Sequence, residues 1–543
     1  MNFDARHERA RRLVTVAATL SRFPDTRLLH SVHPAIRDQQ ILPWTVPDPA
    51  EIGGGISLVA CRGESESACL GLFATNNLER VQLESSELRS SDGGVLAASV
   101  ADPYHVICWY QNGVGTIHAG ATSFTAELLM RDPTLVTVDF AARRNLLRFD
   151  PIPTDAVTLQ PIDIPAFESR QVWITYRVPA DAKPGQYAGK ITIRDKAGVC
   201  AAVPVSLRVP RWDLARSPML HGLYYGRRLP KLETVEQEQA FLKVLEEEIR
   251  DQVEHGCNVV ATYVHTSRLP SDPSPLATAQ RISDIMRKCG ATGTPYFSVI
   301  DFVGSQSGAE QLAAVTKRAR ELGEWAARNG HTAYCFQGRD EASGDALRSQ
   351  RPAWEAARAG GGKMWVACSA NYFPDMGDIL DFPVVSGTLI PSLARQVHAN
   401  GFKILSYGNP QAGVERPEVY RRNYGLALRA AGYDGAIDYE YRTIDEKSAW
   451  DDFDHHHYRD HNFAYPAVGK PIDTIQFEGW REGVDDLRYA ATLELAIRAA
   501  TGEGRQVASA QQAQAWLGGL SGKEDLEAVR MEMIRRIDEL TAR

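Results

Sequence analysis

The chain has 543 residues, of which 44% are apolar and 24% are charged, and it carries a formal net charge of −8. That length predicts more than one domain, because single hydrophobic cores rarely extend beyond about 250–300 residues. The mild acidity argues against a nucleic-acid binder, which usually has a basic face. No run of residues approaches the roughly 20 apolar positions of a membrane helix.

The N-terminal segment Leu13–Leu20 is apolar and follows Arg11 and Arg12, as the core of a secretion signal would. It is short, however, and the acidic residues Asp4 and Glu8 lie just upstream. We therefore predict part of an amphipathic helix rather than a signal peptide. As the chain stands, a cytoplasmic protein is expected, and a periplasmic or secreted one only if a leader has been removed.

Residues 1–215 carry the short alternating or β-branched runs typical of strands. The clearest of these runs are Thr134–Asp139, Gln171–Val178, Tyr187–Arg194 and Ala201–Val209. Turn-forming pairs such as Pro184-Gly185 separate them. Short strands with frequent turns predict a β-sandwich, followed by a linker at 210–218.

After Pro218, apolar strand-like runs alternate with helical stretches. The predicted strands are Met219–Gly226, Asn258–Val264, Pro295–Ile300, Ala333–Gly338, Lys363–Ser369, Pro383–Ile390, Phe402–Tyr407 and Gly435–Tyr441. The predicted helices between them include Glu233–His255, Gln311–Asn329, Ala353–Ala359 and Val419–Ala431. Eight such units over 216–505 predict a (β/α)8 barrel. An open doubly wound sheet is the alternative, but no glycine-rich phosphate loop follows the first strand. The remaining residues, 506–543, predict a C-terminal helical segment that packs without chemistry.

Barrel enzymes place their catalytic residues at the C-terminal ends of the strands. The first strand ends in Tyr224-Tyr225, of which Tyr225 is carried into the predicted site. The predicted substrate-binding residues are Tyr225, Tyr263, His265, Asn371, Tyr372, Tyr407, Asn409, Tyr439, Glu440 and Tyr441. A sugar presents hydroxyl edges and an apolar face, so this mixture of polar and flat aromatic groups predicts an oligosaccharide or glycoconjugate substrate.

Two adjacent acids, Asp340 and Glu341, follow the fourth predicted strand. Like charges this close disfavour joint ionisation and raise one pKa. A carboxylic acid that stays protonated near neutral pH is what a general acid requires. The structural alternative is a solvated acidic pair near the N-terminus of the next helix. The strand-end position within a polar ring favours catalysis.

A retaining hydrolase with two carboxylates needs a nucleophile about 5–5.5 Å from its acid/base. The seventh predicted strand and the residues up to Asn409 contain no acid. Glu440, Asp438 or Asp301 could still serve as the second carboxylate. Adjacent acids also suit substrate-assisted catalysis, in which the substrate's 2-acetamido group attacks the anomeric carbon. One carboxylate then orients that group while its neighbour protonates the leaving oxygen.

Three stretches make the sequence resemble glycoside hydrolase family 123, the β-N-acetylgalactosaminidases, and the proteins related to them. They are Gly185–Gly189, Asp340-Glu341 and Glu478–Tyr489. The resemblance implies a β-sandwich before a (β/α)8 barrel and exo-cleavage of terminal β-linked N-acetylgalactosamine without a metal or organic cofactor. It implies Asp340 as the group that orients the acetamido nitrogen and Glu341 as the acid/base. The family often has proline after the pair, whereas this chain has Ala342.

Several features outside the pair carry weaker predictions. No metal site is predicted in Asp451–His457, which we expect to be a polar loop near Trp450, a candidate sugar platform. Arg481 is expected to form a structural salt bridge, and Tyr407 is a candidate donor to the acetamido carbonyl. Two other functions stay open: a glycoside hydrolase on another sugar that uses Glu440 or Asp438 as the second carboxylate, and a non-catalytic carbohydrate-binding barrel. No nucleic-acid partner is expected, and the oligomeric state is undetermined.

Overall fold

The computed structural model describes residues 3–113, 115, 122–226, 234–263, 274–443, 448–454 and 458–542. They form two compact units. The N-terminal unit comprises residues 3–112, 122–214 and 472–475, and the barrel unit comprises residues 113 and 115 and the other described residues from 215 onward. The helical segment at the C-terminus belongs to the barrel unit.

The N-terminal unit is a β-sandwich preceded by one helix, α1 (Phe3–Arg22), which contains the segment Leu13–Leu20. Its strands are β1 (Leu28–Pro34), β2 (Ile56–Val59), β3 (Ser65–Ala74), β4 (Leu78–Ser85), β5 (Leu88–Ser90), β6 (Val95–Leu96), β7 (Ala101–Asn112), β8 (Thr122–Met130), β9 (Val136–Asp139), β10 (Arg144–Leu147), β11 (Ile162–Ile164), β12 (Ser169–Arg177), β13 (Gly185–Asp195) and β14 (Gly198–Val209). One sheet has the order β1-β3-β12-β7-β8 and the other β11-β4-β13-β14-β2. Side chains from both sheets, such as Leu70 and Ile191, are buried in one shared core. The predicted sandwich is confirmed.

The barrel unit contains eight parallel strands that close on one another in chain order. They are β15 (Leu220–Tyr225), β16 (Val259–Thr262), β17 (Tyr296–Phe302), β18 (Tyr334–Gln337), β19 (Lys363–Cys368), β20 (Phe382–Ser386), β21 (Leu405–Tyr407) and β22 (Gly435–Asp438). Each lies within or overlaps one of the eight predicted runs, so the (β/α)8 barrel is confirmed. The short strands β23 (Ala464–Tyr465) and β24 (Ile472–Asp473) follow.

Helices surround the barrel and complete its C-terminal part. They are α2 (Val235–Glu254), α3 (Ser274–Lys288), α4 (Ala309–Arg328), α5 (Gly344–Arg348), α6 (Arg351–Ala359), α7 (Phe373–Met376), α8 (Pro391–Ala399), α9 (Pro417–Asn423), α10 (Leu426–Ala431), α11 (Ile475–Gly502), α12 (Val507–Gly518) and α13 (Leu526–Thr541). Within the described ranges, no helix combines the length and apolarity that a membrane span requires.

The barrel strands are buried on both faces, which explains their continuous apolar character. Residues such as Leu220, Phe297 and Trp365 fill the interior of the barrel. Residues of the opposite parity, such as Leu223 and Phe336, pack against the helices outside it. Side chains that alternate along one strand therefore belong to two different cores.

The predicted helix Val419–Ala431 is divided into α9 and α10. The division lies at Gly425, where an added Cβ would stand 2.3 Å from the Arg421 carbonyl oxygen and 2.9 Å from Gly483 of α11. The break in the helix thus accommodates the close approach of α11, a tertiary contact that local helical periodicity does not encode.

The stretch Glu478–Tyr489, which carries much of the family resemblance, lies within α11. A Cβ on Gly479 would meet the Pro417 carbonyl oxygen at 2.3 Å, so only glycine lets α11 pack this closely on α9. Trp480 is fully buried and its ring lies 4.6 Å from that of Tyr424. The glycines and the tryptophan therefore fix a helix contact rather than a catalytic group.

Arg481 is buried in the same stretch and pairs with three acids of its own helix, Glu478 at 2.7 Å, Glu482 at 2.8 Å and Asp485 at 3.2 Å. Arg530 of α13 contacts Glu482 as well. Paired charges offset the large cost of removing each one from water. The structural role predicted for Arg481 agrees with these contacts.

Candidate active site

The acidic pair follows β18, where the backbone leaves regular strand geometry. The Gly338 amide donates to the Trp365 carbonyl at 3.0 Å, and the Glu341 amide donates to the Ala367 carbonyl at 3.0 Å. Gly338 and Glu341 are thus three residues apart, whereas their partners Trp365 and Ala367 of β19 are two residues apart. One extra residue on one strand is the pattern of a β-bulge. Glu341 also has a φ of 48°, in the left-handed region that residues with a Cβ rarely adopt. Regular strand alternation is broken here, so the two side chains are not forced to opposite faces.

The loop that carries the pair rests on a rigid base. Gly338 lies so close to Trp354 that an added Cβ would stand 2.5 Å from its ring. The Trp354 indole donates to the Val303 carbonyl at 2.8 Å, and the Gln350 side chain accepts from the Arg339 amide at 2.7 Å. These contacts hold the backbone immediately before the two acids.

The acidic pair does not cap the following helix. α5 begins after Ser343, and the acidic residue in its first turn is Asp345. Asp340 and Glu341 both keep solvent-exposed surface, although the protein atoms packed around the Asp340 carboxyl partly desolvate it, and no described residue donates a hydrogen bond to either carboxylate. Both carboxylates are therefore available to a ligand.

Tyrosines from four strand ends lie in the barrel interior: Tyr224, Tyr263, Tyr407 and Tyr439. The Tyr224 ring lies 6.2 Å from that of Tyr407 and 5.6 Å from that of Tyr439. Burial raises the pKa of Tyr407, and the charges of Glu341 and Asp340 raise it further. The pKa of Tyr224 is raised by burial and then by Asp340. The acidic pair is thus electrostatically coupled to tyrosines on the first and seventh strands, across the barrel mouth.

The pKa of one carboxyl in the pair is raised, as the closeness of two acids predicts. The group is Asp340, whose pKa is raised to about 6, first by burial and second by the charge of Glu341. Asp340 is therefore largely ionised at neutral pH and largely protonated in mild acid. The raised pKa belongs to the acid that the resemblance gives the orienting role.

Two tyrosine hydroxyls near the pair have a proton that they donate to no described residue. Tyr407 Oη accepts from the Gln411 side-chain amide at 2.8 Å and keeps its own proton for an acceptor. The buried Tyr224 Oη has no partner among the described residues. The Tyr407 hydroxyl can therefore donate to a bound ligand, and the buried Tyr224 hydroxyl has a proton that no described acceptor takes.

The candidate second carboxylates lie in different environments. Asp438 is fully buried, its Oδ1 accepts from the Gly408 amide at 2.8 Å, and burial raises its pKa to about 8. It is therefore protonated at neutral pH. Glu440 is buried as well, and the side chain of Asp301 lies outside the described part of the chain. β21 itself, Leu405–Tyr407, carries no acid.

The other predicted substrate-binding residues divide into several groups. Tyr225 and Tyr441 lie in the layer between barrel and helices, where Tyr225 donates to Glu248, and Tyr441 to Asp251 at 2.8 Å. The structure thus does not bring these two to the acidic pair. Tyr225 alternates with the interior residue Tyr224 and so faces the helices, whereas Tyr441 lies beyond the end of β22, where strand alternation no longer applies.

Tyr372 is buried in that same outer layer, whereas Asn371 is exposed. Asn409 follows β21, and its carbonyl accepts from the Asn423 amide of α9 at 2.9 Å. His265 lies outside the described residues. Of the ten predicted binding residues, Tyr263, Tyr407 and Tyr439 share the barrel interior with Tyr224.

The loop after β22 differs in part from its prediction. Trp450 is buried, packs on Tyr465 at 4.9 Å and donates to the Pro466 carbonyl at 3.0 Å, so it is no exposed sugar platform. Residues 455–457 lie outside the described residues. His461 is buried, and its ring lies 5.3 Å from that of Tyr439.

Tyr224 is the clearest residue that the sequence prediction set aside. It alternates with Leu220 and Gly222, which places it inside the barrel, whereas Tyr225 faces the helices. The continuous apolar run of β15 gives no signal of this parity. Only the knowledge that Leu220 points into the barrel would identify Tyr224, four residues later on the same face of the strand, as the interior tyrosine.

Residues 51–195 match the model of the glycoside hydrolase 123 N-terminal domain. The fold is similar to that of a family 123 glycoside hydrolase from Clostridium perfringens whose structure concerns glycolipid glycan hydrolysis, with a TM-score of 0.64 and 13% sequence identity over 94% of this chain and 98% of that one. No curated protein sequence matches the chain.

Two further solved structures share less of the fold. A GH5 xyloglucanase from Bacteroides ovatus gives a TM-score of 0.29 at 9% identity, over 79% of this chain and 98% of that one. A sugar phosphate isomerase/epimerase from Parabacteroides distasonis gives 0.27 at 11%, over 50% and 95%. The N-terminal unit therefore matches the family 123 domain model, and the chain shares the fold of the family 123 enzyme from Clostridium perfringens, in agreement with the resemblance carried by the sequence motifs.

Proposed function

We propose that the chain is an exo-acting, retaining glycoside hydrolase that releases terminal β-linked N-acetylgalactosamine and uses the substrate's 2-acetamido group as nucleophile. The observation that carries this proposal is the pair of adjacent carboxylates, Asp340 and Glu341, which lie at the barrel mouth without described hydrogen-bond donors. Adjacent acids can reach the acetamido group and the glycosidic oxygen, because these groups are attached to neighbouring carbons of one sugar ring.

In this mechanism Glu341 gives its proton to the glycosidic oxygen as the bond to the anomeric carbon breaks. The acetamido carbonyl oxygen forms the new bond to that carbon, and ionised Asp340 accepts a hydrogen bond from the acetamido N–H as it gains positive charge. Glu341 then takes a proton from water, whose oxygen displaces the acetamido oxygen. Two displacements at one carbon retain the anomeric configuration.

The tyrosines supply the orientation that such an attack requires. The free proton of Tyr407 Oη suits a hydrogen bond to the acetamido carbonyl. The Tyr224 hydroxyl, which lacks a described partner, adds a second donor next to Asp340. A nucleophile held close to its target reacts without the entropy cost of a bimolecular encounter.

The principal alternative, a carboxylate nucleophile supplied by the enzyme, is less well supported. Asp438 is protonated at neutral pH because burial raises its pKa to about 8, and a protonated carboxyl is a poor nucleophile. β21 carries no acid. The glycolipid glycan context of the similar Clostridium perfringens enzyme supports a glycoconjugate as the natural substrate.

A panel of para-nitrophenyl glycosides tests the proposal. We expect activity on the N-acetyl-β-galactosaminide, none on the β-galactoside that lacks the acetamide, and inhibition by a thiazoline mimic of the cyclic intermediate. Equal activity on both glycosides without thiazoline inhibition would favour a carboxylate nucleophile and another sugar. No activity on any glycoside of the panel would favour a non-catalytic barrel.

Variants of the pair assign the roles. Glu341→Gln is expected to lower kcat at least about 10²-fold, with a smaller loss for good leaving groups that need no proton. Asp340→Asn should reduce the rate whatever the leaving group. Asp345→Asn, whose side chain is 98% exposed in the next helix, is the matched control and should have no effect. Wild-type rates in both pair variants would show that these residues are not the catalytic pair.

A further inference from the structure

The N-terminal unit contains a cavity of about 480 Å³ that the barrel chemistry does not use. Gln171 of β12 lines it and alternates with Val172, whose side chain enters the sandwich core, and Val106 of β7 lines it from a cluster that it shares with Trp173 of β12. The cavity thus lies against the outer face of the five-stranded sheet, beneath the segment that contains Ile41 and Trp44. A volume of this size is within the range of small-ligand sites.

One wall of the cavity is aromatic and partly open to solvent. The Trp44 and Phe124 rings lie 5.1 Å apart, and Phe140 packs 5.3 Å from Phe124. Trp44 is nevertheless 41% exposed and Phe140 is 54% exposed. Exposed aromatic rings that gather at a concave surface are a feature of binding sites rather than of inert surface.

One buried residue that lines the cavity has a hydrogen-bond acceptor without a partner. The Gln171 side-chain amide donates to Cys69 Sγ at 3.2 Å, and its Oε1 accepts from no described group. The Gln171 side chain is more than nine-tenths buried. A ligand that satisfies this oxygen must bring a hydrogen-bond donor.

A second cavity of about 440 Å³ adjoins the first, and Ile41 and Ser169 line both. Its lining is more polar and includes His33, Arg37 and Glu51. The outer face of the sheet therefore offers an aromatic chamber beside a polar one. A sugar fits this combination, because it brings hydroxyl donors and an apolar ring face. A fatty acid would bring only hydrogen-bond acceptors, in its carboxylate.

We propose that these two chambers form an accessory, non-catalytic carbohydrate-binding site. One sugar ring packs its C–H face on the wall formed by Trp44, Phe124 and Phe140 and donates hydroxyl hydrogen bonds toward Gln171. The adjoining polar chamber takes the next residue of the glycan. This site does not depend on which sugar the barrel cleaves.

Isothermal titration of the full chain with N-acetylgalactosamine, lactose and N,N′-diacetylchitobiose at millimolar concentrations tests the proposal. We expect at least one sugar to bind about tenfold more weakly to Trp44→Ala and Gln171→Leu than to the wild type. Phe167→Ala, which removes an exposed aromatic side chain that does not line either cavity, is the matched control and should bind normally. The kcat/KM of Trp44→Ala on a nitrophenyl substrate should stay unchanged, because the barrel is intact.

Phe140→Ala replaces the most exposed member of the wall and serves if Trp44→Ala fails to fold. Sugar binding that is the same in all these variants, or absent from the wild type, would overturn the proposal. Sodium laurate is the competing probe. If it binds and Trp44→Ala abolishes that binding while no sugar does, the cavity is an apolar-ligand site and the proposal is wrong.

Discussion

The pH dependence of kcat/KM should report the ionisation of Asp340. Its carboxylate must be charged to stabilise the cationic acetamide, and its pKa is raised to about 6. The Asp340 carboxyl of the free enzyme is then roughly nine tenths ionised at about pH 7 and roughly one tenth ionised at about pH 5. As the pH is lowered from about 7 to about 5, kcat/KM should therefore fall about tenfold. A stopped assay with a para-nitrophenyl N-acetyl-β-galactosaminide measures this acid limb. A midpoint near the ordinary pKa of an exposed aspartate would refute the assignment.

The origin of the raised pKa can be tested in the same assay. The charge of Glu341 is the second cause of the shift, after burial. Glu341→Gln removes that charge, so the midpoint of the acid limb should move to lower pH. A dinitrophenyl substrate, which needs little protonation of its leaving group, keeps the variant measurable. An unchanged midpoint would mean that the two carboxyls do not interact.

Two further predictions concern stability. Gly479→Ala would place a Cβ 2.3 Å from the Pro417 carbonyl oxygen and should lower the free energy of unfolding by about 2 kcal/mol, whereas Gly323→Ala, in open space within α4, should raise it by about 0.5–1 kcal/mol. If Gly479→Ala and Gly323→Ala unfold at the same denaturant concentration, Gly479 is not required for the close packing of α11 on α9. Burial raises the pKa of Asp438 from 3.8 to about 8, so between these pH values the folded state holds a proton that the unfolded state has lost. The free energy of unfolding should therefore fall as the pH rises from about 4 to about 8, by up to roughly 6 kcal/mol. Asp438→Asn should lose this slope in urea titrations, and an unchanged slope would place its cause elsewhere.

Much of the barrel could be predicted because its signals are local. The apolar run from Lys363 to Cys368 and its polar continuation mark a buried strand and its functional end without any tertiary knowledge. The position of Asp340 after the fourth strand follows from counting such runs. The role of Glu478–Tyr489 as a family mark could be recognised, but its packing of glycine on the Pro417 backbone could not.

The parts that could not be predicted depend on contacts between distant residues. The sequence does not distinguish Tyr224 from Tyr225, because a strand buried on both faces does not reveal which side chains point into the barrel. The left-handed φ of Glu341 has no sequence signal, since the residue is not glycine. A tryptophan in a polar loop, such as Trp450, is a side-chain type that stacks on sugars. Here, however, its ring packs against Tyr465.

The central claim is that the substrate's acetamide attacks its own anomeric carbon, with Asp340 and Glu341 beside it. Replacing the acetyl group of the nitrophenyl N-acetyl-β-galactosaminide by mono-, di- and trifluoroacetyl groups tests this most directly, because fluorine withdraws electron density from the attacking oxygen. We predict that kcat/KM falls at each step of the series. Equal kcat/KM values along the series would contradict acetamide participation and require a nucleophile from the enzyme.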